Sequence, residues 1–119
     1  MQALRHLEIG VMFWAGRDPR ETIRELKTLG ARCGQLGIPG DFRLAGSAPE
    51  WKEALEEEQF PLVTVFAAFT GEDYADIPTV ERTVGFIPPA TRAERERRTW
   101  AISDFAAVVG APSIALHVG

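Results

Sequence analysis

Leu62-Val63-Thr64-Val65-Phe66-Ala67-Ala68-Phe69 is the stretch on which the fold turns. Read as a β-strand, it sends alternate side chains to opposite faces. One set is Val63, Val65 and Ala67, all aliphatic; the other is Thr64, Phe66 and Ala68, a mixture of polar, aromatic and small. The same split recurs in strands predicted at 7–14, 32–38 and 113–118. Ile9, Val11, Phe13, Leu36, Ile38, Ile114, Leu116 and Val118 extend the aliphatic set. Glu8, Gly10, Met12, Trp14, Cys33, Gln35, Gly37, Ser113, Ala115 and His117 make up the mixed one.

Helices are predicted between these strands. Asp18-Pro19-Arg20-Glu21 has a capping residue, a proline suited to the first turn and an acid three residues on. Ile23, Leu26 and Leu29 then form a stripe that stops at Gly30. Ser47-Ala48-Pro49-Glu50 repeats the capping spacing, with Trp51, Ala54 and Leu55 on one face and the Glu56-Glu57-Glu58 run read as a solvated one. A third helix is expected to open at Thr91, with Glu94 three residues on. It buries Ile102, Phe105, Ala106 and Val109 and ends at Gly110. Residues 70–90 hold Gly71, Pro78, Gly85, Pro88 and Pro89 and are read as a long loop, too broken by proline for a regular helix. Arg92, Arg95, Arg97 and Arg98 are read as an exposed face interleaved with Glu94 and Glu96, an anion site being the alternative.

Alternating strands and helices imply right-handed crossovers and a parallel sheet. A doubly wound, flavodoxin-like sheet carries helices on both faces, so its strands are aliphatic on both. A (β/α) barrel carries helices outside only, and its interior turns small and polar toward the mouth. The mixed set fits the barrel, and the fold class expected is an α/β half-barrel, β-α-β-α-β-α-β with parallel strands, forming one domain over 1–119. A whole eight-stranded barrel takes ~250 residues, and this chain has 119. Four strands cannot close a cylinder. The missing wall is expected from a second copy of the chain or from sequence beyond these residues.

Composition limits the function classes. The chain is 45% hydrophobic and 25% charged, as soluble globular domains are. Lys+Arg 13 against Asp+Glu 17 gives a net charge of −4, which speaks against nucleic-acid binding. No apolar run reaches the ~18 residues of a membrane span, and no signal peptide is visible; the expected location is cytoplasmic. The single cysteine, Cys33, cannot form an internal disulfide or a multi-thiolate zinc site and is read as an inert core thiol. No Walker loop, G-x-G-x-x-G or G-x-S-x-G is present.

Active sites of such barrels lie at the C-terminal strand ends. Trp14, Gln35, Phe66 and His117 are therefore the candidate substrate-contacting residues. Trp14 and Phe66 could stack on the apolar face of a sugar, or simply fill the mouth. Gln35 is either a substrate contact or a buried structural amide. His117 could ligate a metal, hydrogen-bond a sugar hydroxyl, or bond across the strand ends. Glu72, Asp73, Tyr74 and Asp76 are either part of a lid or an exposed acidic loop. Glu8 is read as a stability residue and His6 as solvated. Trp51 is expected to pack on the sheet, and Trp100 to lie off the buried stripe of its helix.

Several motifs carry a resemblance, taken in order. They are Ile9-Gly10-Val11-Met12-Phe13-Trp14 with Asp18-Pro19-Arg20-Glu21, then Gln35-Leu36-Gly37-Ile38-Pro39, Val63-Thr64-Val65-Phe66, and the run Gly110 to Gly119 ending in His117-Val118-Gly119. Over nearly its whole length the chain resembles the N-terminal half of the sugar phosphate isomerase/epimerases of the xylose isomerase-like TIM-barrel superfamily. The resemblance implies aldose–ketose interconversion or epimerisation beside a carbonyl, with a divalent metal and paired carboxylates. In such epimerases these groups lie on strands five to eight, so no catalytic residue, metal ligand or cofactor is expected in this chain. In a DNA-repair endonuclease branch of the superfamily, a histidine placed like His117 binds a metal. Two readings of function follow: half of a sugar phosphate isomerase or epimerase, catalytically incomplete alone, or a non-catalytic half-barrel module that self-associates. A flavodoxin-like binding domain is a third. The expected partners are a second copy of the chain and, in a complete barrel, a small sugar or sugar phosphate.

Overall fold

Asp18 starts the first helix as its sequence predicts: its Oδ1 accepts the Glu21 N–H at 2.9 Å, and Pro19 occupies the first turn. The structure, a computed structural model, describes residues 7–119, and His6 lies outside them. The elements run β1 (Val11–Trp14), α1 (Pro19–Thr28), β2 (Gly34–Ile38), α2 (Ala48–Glu57), β3 (Leu62–Ala67), α3 (Ile77–Thr83), α4 (Pro89–Val109) and β4 (Ile114–Leu116). All the strand pairings are parallel and the spatial order is β1-β2-β3-β4. Right-handed crossovers that always step to the next strand on the same side place every helix on one face. That order differs from the 2-1-3 start of a flavodoxin-like sheet, so the doubly wound alternative is overturned and the half-barrel stands. The smallest dimension of the molecule, 22 Å, is that of one sheet plus one helix layer.

The core lies between those layers. Phe13, Leu36, Ile38, Val65 and Ala67 from the aliphatic set meet Ile23, Trp51, Ala54, Leu55, Ile102, Phe105 and Ala106 from the helices. Trp51 is 2% exposed and its ring lies 6.2 Å from that of Phe13. Trp100 stays exposed.

Several expectations are corrected. The predicted loop over 70–90 contains α3: Asp76 Oδ1 accepts the Thr79 N–H at 2.8 Å, and Pro78 sits in the first turn, where proline is tolerated because its missing N–H has no helical partner. For the same reason α4 begins at Pro89, ahead of Thr91. Ser47 does not cap α2 with its side chain; its hydroxyl donates to the Leu44 carbonyl instead. β1 starts only at Val11, leaving Leu7 and Ile9 exposed, and Leu29 and Val118 are exposed beyond the ends of their elements. Val63 does not face the helices. The β2–β3 register runs Gly34 to Leu62 and then Gln35 to Thr64, so Val63 is an extra residue in β3. Leu62 takes the buried position and Val63 is left 50% exposed. The glutamate run is not purely solvated either: Arg20 donates to Glu57, and Arg24 and Lys27 donate to Glu58, tying α1 to α2. Hydrogen bonding from these arginines holds both carboxyls below the usual range.

The bulge gives a sharp contrast between two aliphatic neighbours on β2 and β3. Leu36→Ala, in the sealed layer, should lower the unfolding free energy in urea by ~2–5 kcal/mol. Val63→Ala should change it by no more than about 0.5 kcal/mol.

Candidate functional site

Among the described residues no helix covers the mixed face of the sheet, and its C-terminal end carries a row of rings. Trp14 closes β1, and its indole lies over Gly37 of β2, its register partner. A Cβ at Gly37 would come within 2.5 Å of the Trp14 Cε3, so only glycine leaves room for the ring to lie down. Phe66 of β3 meets Trp14 edge-on with centroids 6.1 Å apart. His117, directly after β4, meets Phe66 edge-on at 5.2 Å. Tyr74, from the loop before α3, meets His117 at 5.5 Å. Trp14, Phe66 and His117 were predicted at the strand ends, and the structure brings them into one band. Gln35 shares the face but not the band: it lies two residues below Gly37, in register with Met12 and Thr64. Trp14 at 49% and Met12 at 45% exposed show how open the face is.

Polar contacts fix the His117 end of the band. Tyr74 Oη lies 2.7 Å from His117 Nδ1 and 3.3 Å from Glu72 Oε2. Glu72 is itself held, its Oε1 accepting the Phe69 N–H at 2.8 Å and its Oε2 the Gly85 N–H at 3.1 Å. A phenol has one proton and a carboxylate only accepts. Both contacts are hydrogen bonds in one arrangement: Tyr74 donates to Glu72, and His117 Nδ1–H donates to the phenol oxygen. In the neutral imidazole this tautomer leaves the Nε2 lone pair free.

Gly85 anchors this network. Its φ of +70° is left-handed, and a Cβ there would fall 2.1 Å from the Val118 carbonyl carbon. That close approach lets Phe86 N–H donate to the Val118 carbonyl at 2.9 Å, pinning the segment after α3 over the end of β4.

The sequence offers Tyr74 and Glu72 as part of a lid or of an exposed acidic loop, with no link to His117. Their pairing with His117 spans 43 residues and has no spacing signature. Asp73 and Asp76 serve their own turns, Asp73 Oδ1 accepting the Ala75 N–H and Asp76 capping α3. Cys33 is buried, and Glu8 is exposed ahead of β1.

The divalent metal implied by the sequence resemblance does not fit the donors present. Among the described residues no three His, Cys, Asp or Glu side chains converge. The carboxylate nearest His117 in the network, Glu72, already accepts two backbone N–H groups.

Tyr74 is the sole tyrosine, so its titration reads out cleanly. Burial, reinforced by the Glu72 charge and hydrogen bond, pushes its phenol above the ordinary value of 10.0. Phenolate absorbance near 295 nm should therefore rise with a midpoint above that of free tyrosine. Glu72→Gln should bring the midpoint down, because it removes the negative charge that opposes the phenolate.

No family model matches the sequence, and no curated protein matches it. Among solved structures, the chain is similar to the crystal structure of a xylose isomerase domain protein from Planctomyces limnophilus. The two share 33% identity at a TM-score of 0.82, over 93% of this chain and 40% of that protein. The chain thus spans well under half the length of this relative. Parallel topology, one-sided helices and this similarity agree: the chain is an α/β half-barrel similar to part of a xylose isomerase domain protein of the TIM-barrel type.

Proposed function

We propose that the chain forms one half of a sugar isomerase or epimerase barrel, supplying a wall of the substrate cavity and lacking the reaction centre. The observation that carries this reading is the uncovered band Trp14–Phe66–His117–Tyr74 at the C-terminal strand ends, where barrels of this type bind substrate. Aromatic faces stack on the apolar face of a sugar ring, and a fixed imidazole offers one directed polar contact to a hydroxyl. Acidification of a C–H beside a carbonyl needs a metal and a pair of carboxylates, and the band supplies neither. By analogy with epimerases of this superfamily those groups belong to the complementary half, with a sugar phosphate as the substrate class.

Until that half is in place, the open face is best buried against a second copy. Both sheet edges, β1 and β4, lack a neighbouring strand among the described residues, and unpaired parallel strands carry free N–H and C=O groups that favour pairing. The working state of the isolated chain is accordingly a homo-oligomer. Self-association without chemistry is the second reading, and it rests on the same bare face.

Sedimentation equilibrium of the chain should show a dimer or higher oligomer. Trp14→Lys, which puts a charge into the band, should weaken association about tenfold or more. With Mg2+, Mn2+ or Co2+ and mixed small ketoses the chain alone should show no turnover. Isomerisation by this chain alone would overturn the incomplete-barrel reading, and a monomer at all concentrations would overturn self-association.

A further inference from the structure

A second site lies off the aromatic band, beyond the ends of β2 and β3. Gly40 follows β2, Phe69 and Thr70 follow β3, and the first three turns of α4 close over them, leaving a cavity of about 540 Å³. Its α4 wall carries Thr91, Glu94, Arg95, Arg97 and Arg98. The arginine run expected to be an exposed face is thus partly an interior one: Arg95 is 4% exposed and Arg98 half-buried.

The protein does not neutralise this wall. Arg95 spends Nη1 on the Thr83 and Gly85 carbonyls and Nη2 on the Thr70 carbonyl, and its guanidinium lies 5.6 Å from the Phe69 ring centroid. Arg98 spends Nη2 on the Pro39 and Phe42 carbonyls. These acceptors are all neutral. Among the described residues neither arginine, nor the exposed Arg97, makes an ion pair, whereas Arg17 and the α1 residues Arg20 and Arg24 all do. Burial lowers the Arg98 pKa from its ordinary value, with Asp41 as the opposing charge. Thr91 Oγ1, Arg95 Nε and Arg98 Nε are buried without a hydrogen-bond partner. Arg98 Nη1 makes no hydrogen bond among the described residues, and Arg98 lines the cavity. The first turn of α4 has no side-chain cap, so its partial positive charge adds to the same wall. Glu94 is the one opposing charge in the lining.

A buried cation whose only partners are neutral carbonyls is costly, and unsatisfied buried donors call for a missing ion or water. From these observations we infer that the cavity is a binding site for an oxyanion, the phosphate group of a small molecule, contacted by Arg97 and Arg98 Nη1 with Arg95 as fixed charge behind them. Arginine's planar fork suits phosphate oxygens in two-point contact. The volume exceeds that of one phosphate, leaving room for a small organic body. This site is independent of barrel completion and of the sugar reading.

The test is titration of the 119-residue chain with inorganic phosphate, followed by amide NMR, against sodium chloride at matched ionic strength. Saturable shifts are expected at Gly40, Thr70 and residues 91–98, with a millimolar dissociation constant. Arg97→Glu should weaken binding about tenfold, since it replaces a charge-assisted contact with repulsion. Arg97 is exposed and makes no hydrogen bond or ion pair among the described residues, so this variant tests the site without unfolding the chain. Lys52→Glu on α2 changes net charge equally and should bind as the parent does. Arg98→Gln should weaken binding further if its spectrum shows a folded chain. Shifts that are linear in phosphate and equal to those in chloride would overturn the proposal, as would an Arg97→Glu chain that binds as tightly as the parent.

Discussion

Each crossover in this chain steps to the next strand on the same side, and that single geometric constraint settles where everything else goes. A right-handed βαβ unit has one face for its helix. Repeating the step without reversal stacks every helix on that face, so the hydrophobic layer forms once, between helices and strands. Leu36, Ile38 and Val65 are sealed there against Ile23, Trp51 and Ile102. Among the described residues the reverse face receives no helix. Its residues must either tolerate water or find a partner beyond this chain. Trp14 and Met12 lie on that face and are left about half-exposed.

Architecture was legible in the sequence because alternation and capping are local. Period-two patterning separated the two faces, and Asp18-Pro19 and Gly110 marked helix ends that the structure reproduces. The failures have local causes as well. Pro78, Pro88 and Pro89 were counted as breakers, whereas proline in a first turn is a start signal. Val63 was assigned to the core because alternation was carried through a bulge that no residue announces. The site was legible only along the strands. Trp14, Phe66 and His117 follow from strand ends and parity. Tyr74 and Glu72 reach His117 through a loop whose path depends on Gly85 packing against Val118, a long-range contact without a sequence period. Arg92 and Arg97 are exposed as expected, and Arg95 and Arg98 depart from that exposed face for a related reason. Helical spacing puts Arg95 near the buried stripe with Ile102 and Ala106, but long cationic side chains default to solvent. What overrides that default is the set of free carbonyls at Thr70, Thr83 and Gly85.

Those same carbonyls join the two sites into one construction. The segment from Phe69 to Phe86 is held from the inner side by Glu72, which binds the N–H groups of Phe69 and Gly85. It is held from the helix side by Arg95, which binds the carbonyls of Thr70, Thr83 and Gly85. Gly85 is gripped through both of its backbone groups, one by a carboxylate and one by a guanidinium. The segment has no strand to lean on and only the short α3 within it, so these two opposite charges do the work that a sheet ladder does elsewhere. Arg95 also exerts a field on Tyr74, favouring its phenolate against the opposing effect of Glu72. The loop that carries Tyr74 and the wall of the arginine cavity therefore share one short stretch of backbone. Glu72 and Arg95 thereby set the path of the loop that brings Tyr74 to His117.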